Sequence, residues 1–409
     1  DVLAGSGAAP RRTGGSTSLV QRPELDNRRD GPEPMPQSQP GLDALPIDFI
    51  DLALSDPTEI HVPENLDDDF AYRITTYSPT GARGDLSPDA MGGYFRVDIT
   101  AQRSLRKLAT SPKDVIFIID TSSSVPADWV AEVTRGVRES LVTLNEGDRF
   151  NIVLFNDRVS LLSEEGVLPA NAENFAIARA FLESAESIGY TDVNAAMRQL
   201  MVRDVEPGRV YELVLISDGQ STRGVTSTRD LINLITRDND LSASIYCVGI
   251  APQQNRELLN YLAYRNKGFS VYADDKEEAA QVIGDLMSRL RYPILQNVQL
   301  DAAGLDTATL YPLNLPNIHQ GETISVFGRF QRADEFTMRI TGTSGGRDVE
   351  FTFTRDLDLA PVGEREVANR WAFWKLHALY SQILQDGEQP ALLREVQRLR
   401  DRYGLRTLY

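Results

Sequence analysis

The chain has 409 residues, 41% of them hydrophobic, and a formal net charge of −17. That length gives room for two or more domains with a sizeable core. The acidity argues against nucleic acid or an anionic membrane as partner and suits a cation or a basic protein surface.

In chain order, residues 1–45 are rich in Gly, Pro, Ser and Arg and poor in large apolar residues, which predicts a disordered leader that is protease-sensitive and unnecessary for folding. The chain begins at Asp1 without a methionine, so it reads as a processed product or a fragment, and no signal peptide is visible in it. Residues 46–113 are β-rich: "TEIHV", "FAYRITTYS" and "GGYFRVDITAQ" read as short strands between turn signals. From 114 to 291 strands and helices alternate. "DVIFIID", "RFNIVLF", "VYELVLIS", "SASIYCVGI" and "FSVYA" are the strands, and helices are expected near 127–144, 171–186, 193–203, 226–237, 254–265 and 276–290. This alternation predicts an α/β block with a doubly wound parallel sheet. Residues 292–360 return to β structure through "NVQLDA", "ETISVFGRF", "FTMRITGT" and "DVEFTFTRDL", and 361–409 form a helical segment with helices at 363–386 and 390–403. Neither β-rich stretch has strands enough to close a core alone, so the two are expected to form one β-sandwich-like domain into which the α/β block is inserted.

Cys247, the single cysteine, excludes an intramolecular disulfide framework and a Cys-rich zinc site, and its apolar strand predicts a buried, inert thiol. Lysine occurs only at Lys107, Lys113, Lys267, Lys276 and Lys375, an arginine bias that marks a GC-rich bacterial genome. There is no Asn-x-Ser/Thr sequon and no apolar run of the roughly 18–20 residues that a membrane-spanning segment needs.

In an open α/β sheet, ligands bind outside the carboxyl ends of the strands, where the strand order reverses. Three segments bring small oxygen-bearing side chains to that edge. "DVIFIIDTSSSV" ends an apolar strand on Asp120, Ser122 and Ser124; "GYTDVNAAM" places Thr191 just before a helix; "LVLISDGQS" ends a second apolar strand on Asp218. Two acids and three hydroxyls, with no histidine, suit a hard cation: Mg²⁺ first, with Ca²⁺ or Mn²⁺ as alternatives. The rival reading makes these residues helix caps and turns.

These three segments resemble the metal-ion-dependent adhesion site (MIDAS) of von Willebrand factor type A domains, a Rossmann-like fold, across the whole 114–291 block. The resemblance implies that Ser122, Ser124 and Thr191 are hydroxyl ligands and that Asp120 and Asp218 hold the ion directly or through water. Ser123 stands where many members carry glycine, and Val125 where methionine is frequent. The flanks, "GGYFRVDITAQ", "LPNIHQGETISVFGRF", "ANRWAFWKLHALYSQIL" and "DRYGLRTLY", look like the inter-alpha-trypsin inhibitor heavy chain group, whose larger amino-terminal β domain is not evident here. What this implies is a cell-adhesion or protein–protein interaction module, extracytoplasmic (cell surface, periplasmic or secreted), whose partner is a protein ligand offering an acidic side chain. The alternative is an intracellular, cytoplasmic adaptor of an AAA-type ATPase, since type A domains serve there too. A metal-dependent hydrolase is the poorer reading. His61, His319 and His377 are scattered and lack a nucleophile motif, and only Glu164 and Glu165 offer a base, if a loop folds over. No enzyme is expected.

Two smaller features have plain readings. Arg83-Gly84-Asp85 in "ARGDLS" reads as a turn ahead of an adhesion ligand. Trp371 and Trp374, near Leu376 and Tyr380, read as core packing ahead of an exposed binding stripe.

Overall fold

Strands β3 (Lys113–Asp120), β7 (Val210–Ser217) and β8 (Ser244–Gly249) are buried at every position. Their runs of aliphatic and β-branched residues leave no polar face, so helices must cover both sides of the sheet they form. The computed structural model describes residues 69–79, 92–103, 105–200, 206–240, 242–332 and 335–407. The leader at 1–45, the "TEIHV" strand, His61 and Arg83-Gly84-Asp85 lie outside the described residues.

With β4 (Arg149–Phe155) and β9 (Ser270–Tyr272), these strands make a parallel sheet in the order β4-β3-β7-β8-β9. Two short antiparallel strands that the sequence pattern did not reveal, β5 (Val159–Leu161) and β6 (Leu168–Pro169), pair with β4 at the edge. Helices α1 (Ala127–Leu141), α2 (Ala172–Leu182) and α6 (Lys276–Arg289) cover one face. Helices α3 (Val193–Arg198), α4 (Thr228–Asp238) and α5 (Arg256–Arg265) cover the other. Helix α3 is shorter than the 193–203 expected. Helices α1 and α6 approach closely at Gly136, where a Cβ would lie 2.7 Å from Ala280 Cα.

The flanking strands form two antiparallel sheets. One runs β1 (Phe70–Tyr77), β2 (Gly93–Ala101), β12 (Thr323–Phe330); the other runs β11 (Ile318–His319), β10 (Pro293–Ala303), β13 (Glu335–Ser344), β14 (Arg347–Asp356). Phe95, Val97 and Ile99 of β2 share one core with Ile294, Phe336, Met338 and Ile340 of the second sheet. Strand β2 thus pairs with β12 across the entire α/β block, Thr100 facing Thr323 and Gly93 facing Phe330. The block is an insertion. Its two ends meet where the Ser111 N–H donates to the Pro293 carbonyl at 2.8 Å.

Polar contacts tie the lower ends of the parallel strands to the sandwich. His319 Nε2 lies 3.0 Å from Glu212 Oε1, both side chains buried, and Asn317 Nδ2 donates to Ser244 Oγ at 2.8 Å. Helices α7 (Glu366–Asp386) and α8 (Pro390–Tyr403) close the structure. Trp371 and Trp374 are each 3% exposed, and the Trp371 indole donates to the Thr309 carbonyl at 2.9 Å, so this stripe is core.

At the start of β3, Lys113 is fully buried and made tolerable by Asp148, its Nζ donating to Asp148 Oδ2 at 2.6 Å and to the Arg291 carbonyl at 2.8 Å. Removing one partner of such a pair strands a buried charge, which costs about 3–5 kcal/mol, whereas replacing both with apolar residues is often close to neutral. Asp148→Leu should therefore lower unfolding stability by about 3–5 kcal/mol, and adding Lys113→Met should restore part of it. Urea denaturation of the single and double variants measures both.

Candidate metal centre

The reversal of strand order falls between β3 and β7, because β3 is followed in sequence by β4 on one side and β7 lies on the other. A crevice opens at such a point beyond the strand ends. Asp120 is the last residue of β3, and Asp218 directly follows β7, so the topology alone brings the two carboxylates together.

Neither acid caps a helix. Helix α1 has Pro126 at its N-cap with no side-chain cap, and the cap of α3 is Asp192, which accepts from the Ala195 N–H. Asp120 instead accepts from the Ser122 N–H at 2.9 Å and from Ser217 Oγ at 2.6 Å. Ser122 Oγ and Ser124 Oγ are 3.0 Å apart, and Ser124 is within hydrogen-bonding reach of Asp218. Asp120, Ser122, Ser124 and Asp218 are thus one contiguous cluster. Asp120, Ser122 and Asp218 are buried, and Ser124 is exposed at the mouth.

Thr191 sits on a neighbouring loop pinned to the β3 loop: the Ile188 N–H donates to the Thr121 carbonyl at 2.8 Å, and the Ser123 N–H to the Gly189 carbonyl at 3.1 Å. Its backbone is fully engaged, donating to Thr222 Oγ1 and accepting from the Thr222 and Arg223 N–H groups, each at 2.9 Å. Its side chain is not. Thr191 is 1% exposed, and its buried Oγ1 has no hydrogen-bond partner, a condition that costs free energy unless something outside the protein satisfies the atom.

Electrostatics at the cluster have the same sense. Burial raises the Asp120 carboxyl above its ordinary range, against the hydrogen bonds from Ser122 and Ser217. Burial, then the charge of Asp120, raises Asp218 to about 7. Two buried acids that cannot comfortably both ionise, beside an orphaned hydroxyl, fit a divalent cation. Among the described residues, no group of three or more His, Cys, Asp or Glu side chains is placed to hold a metal. A cation here would take the balance of its ligands from hydroxyls.

Sequence reasoning missed Ser217, which orients Asp120 and also accepts from the Gly219 N–H at 2.9 Å. It also missed the Asp157–Arg223 pair at 3.2 Å. Ser217 stands one residue before a flagged acid, and a serine at a strand end carries no signal distinguishing it from a turn former. The residues of the hydrolase reading are dispersed: Glu164 and Glu165 are exposed between β5 and β6, His319 sits in the lower junction, and His377 is buried against Tyr261 and Tyr264, which drives its pKa well down. Cys247 is buried, and burial pushes its thiol up.

Residues 113–272 match the family model of the von Willebrand factor type A domain. This block is a von Willebrand factor type A domain. The chain resembles the inter-alpha-trypsin inhibitor heavy chains: human heavy chain H6 is 27% identical over 237 residues, covering 55% of this chain and 18% of that one. Human heavy chain H4 is 24% identical over 325 residues, covering 73% and 34%. The matched stretch is thus a minor part of either relative's length. Among solved structures, the von Willebrand factor type A protein from Catenulispora acidiphila aligns with a TM-score of 0.56 at 16% identity, covering 82% of this chain and 87% of that one. The ArnB paralog VWA2 from Sulfolobus acidocaldarius aligns at 0.50 with 17% identity, covering 83% and 92%. These likenesses concern the fold, and they extend beyond the type A domain into its flanks.

Two outcomes follow for the metal-free protein. Thr191→Val keeps the shape and removes the orphaned hydroxyl, so in EDTA it should be stabilising by about 1 kcal/mol. Asp218 is raised from 3.8 to about 7, so the unfolded chain loses this proton first as pH rises. Its contribution in EDTA should then be most favourable below about pH 4 and decline up to about pH 7. Asp218→Asn should gain on the wild type through that window, as read by urea midpoints across the pH series.

Proposed function

We propose that this chain is a non-enzymatic, divalent-cation-dependent protein-binding module. In this reading Asp120, Ser122, Ser124, Thr191 and Asp218 hold Mg²⁺, with Ca²⁺ or Mn²⁺ as alternatives, directly or through water. The single observation that carries it is the buried Asp120–Asp218 pair, drawn to one point with hydroxyls around it and with the Thr191 hydroxyl left unpaired. The bound ion would supply an electrophilic position for an anionic oxygen, and an acidic side chain from a protein partner would complete it. The chain's own residues do the rest. Ser217 and the Ser122 N–H hold Asp120 in place, and the hydrogen-bonded loops support buried Thr191 and keep Ser124 at the rim.

Among the described residues, no helix is long and apolar enough to cross a membrane. The β-rich flanks, similar to the heavy chain group, favour an extracytoplasmic setting for this module over a cytoplasmic adaptor.

A cation that binds only the folded state stabilises it by about 2.7 kcal/mol at a hundredfold excess over Kd. Mg²⁺ should therefore raise the melting temperature of the wild type by several degrees, and Asp218→Ala should abolish the response. Capture of a native partner in Mg²⁺ should be lost both in EDTA and with Asp218→Ala. A Mg²⁺-responsive wild type whose partner binding survives both treatments would make the ion structural and put the interaction surface elsewhere.

A further inference from the structure

The loop that carries Thr191 to the cluster also leaves two large apolar side chains in solvent: Ile188 is 59% and Tyr190 64% exposed. Exposed apolar side chains are ordinary when scattered, but these two stand two residues apart on a loop whose backbone is pinned to the β3 loop on one side. Gly189, between them, has a φ of +86°, and a Cβ there would come within 2.6 Å of Asp157 Oδ1. The loop therefore packs flush against Asp157, which is itself paired with the exposed Arg223 at 3.2 Å. The positive charge of that arginine is already matched.

We infer that Ile188 and Tyr190 form an apolar rim that selects a partner segment carrying one acidic residue flanked by large aliphatic or aromatic residues. The inference rests on the cation-binding reading above. Charge decides the kind of partner. The chain has a net charge of −17, so an acidic run would be repelled by the protein as a whole. A single carboxylate can meet a cation at short range, where screening over roughly 8 Å at physiological salt no longer matters. Arg223 is already paired with Asp157, and the further source of affinity on this loop is apolar contact with Ile188 and Tyr190.

The test uses synthetic heptapeptides with a central aspartate flanked by leucine, by serine or by further aspartates, measured by fluorescence polarisation in Mg²⁺ and in EDTA. Covering one large apolar side chain is worth about tenfold in affinity. The leucine-flanked peptide should bind in Mg²⁺ about tenfold tighter than the serine-flanked one, and the aspartate-rich peptide should be weakest. Ile188→Ser with Tyr190→Ser should erase the leucine advantage while the Mg²⁺-induced rise in melting temperature persists. Equal binding of the leucine and serine peptides, tightest binding of the aspartate-rich one, or a leucine advantage that survives the double variant would each overturn the rim while leaving the cation reading standing. If no peptide binds in Mg²⁺ although Mg²⁺ still raises the melting temperature, the partner-carboxylate reading fails and the rim inference with it.

Discussion

Two carboxylates that the fold forces together, away from water, set the terms for the rest of this molecule. Asp120 ends β3 and Asp218 directly follows the adjacent parallel strand β7, so the strand pairing holds their backbones close. Burial raises the pKa of both carboxyl groups, and repulsion from the charge of Asp120 raises that of Asp218 further. Hydroxyls at Ser122, Ser124 and Ser217 temper that repulsion without removing it. An arrangement of this sort is unfavourable for stability alone, which is why a cation is the economical explanation for it.

Holding such a cluster requires a rigid support, and the lower half of the structure provides one. The buried Lys113–Asp148 pair, the Glu212–His319 contact and the Asn317–Ser244 hydrogen bond fasten the amino-terminal ends of the parallel strands, opposite the cluster. The block enters and leaves through neighbouring positions on the sandwich, joined by the Ser111–Pro293 hydrogen bond. Loops at the upper edge are tied to one another by backbone hydrogen bonds, so the rim that would meet a partner is built on well-supported backbone.

Much of this organisation was legible in the sequence because its signals were long. Strands β3, β7 and β8 are dominated by long apolar runs, and runs of that kind, alternating with helical periodicity, admit few topologies. The acids could be assigned to one edge because they sit at the ends of such runs. What escaped detection was short or non-local. Strands β5 and β6, three and two residues long, carry too little pattern to register. Glu212 hides in the apolar run of β7, and its partner His319 is 107 positions away, so nothing local marks either as part of a junction. The orphaned Thr191 hydroxyl is a property of packing, invisible until the loops are in place.

Anomalous diffraction from crystals of the protein grown with Mn²⁺ tests the central claim most directly, since it locates the ion without reference to any partner. A strong anomalous peak is expected, enclosed by Asp120, Ser122, Ser124, Thr191 and Asp218, and it should disappear in crystals of Asp218→Ala. An empty cluster in the wild type at saturating Mn²⁺, with the two carboxyl groups hydrogen-bonded to each other through a shared proton, would contradict that claim.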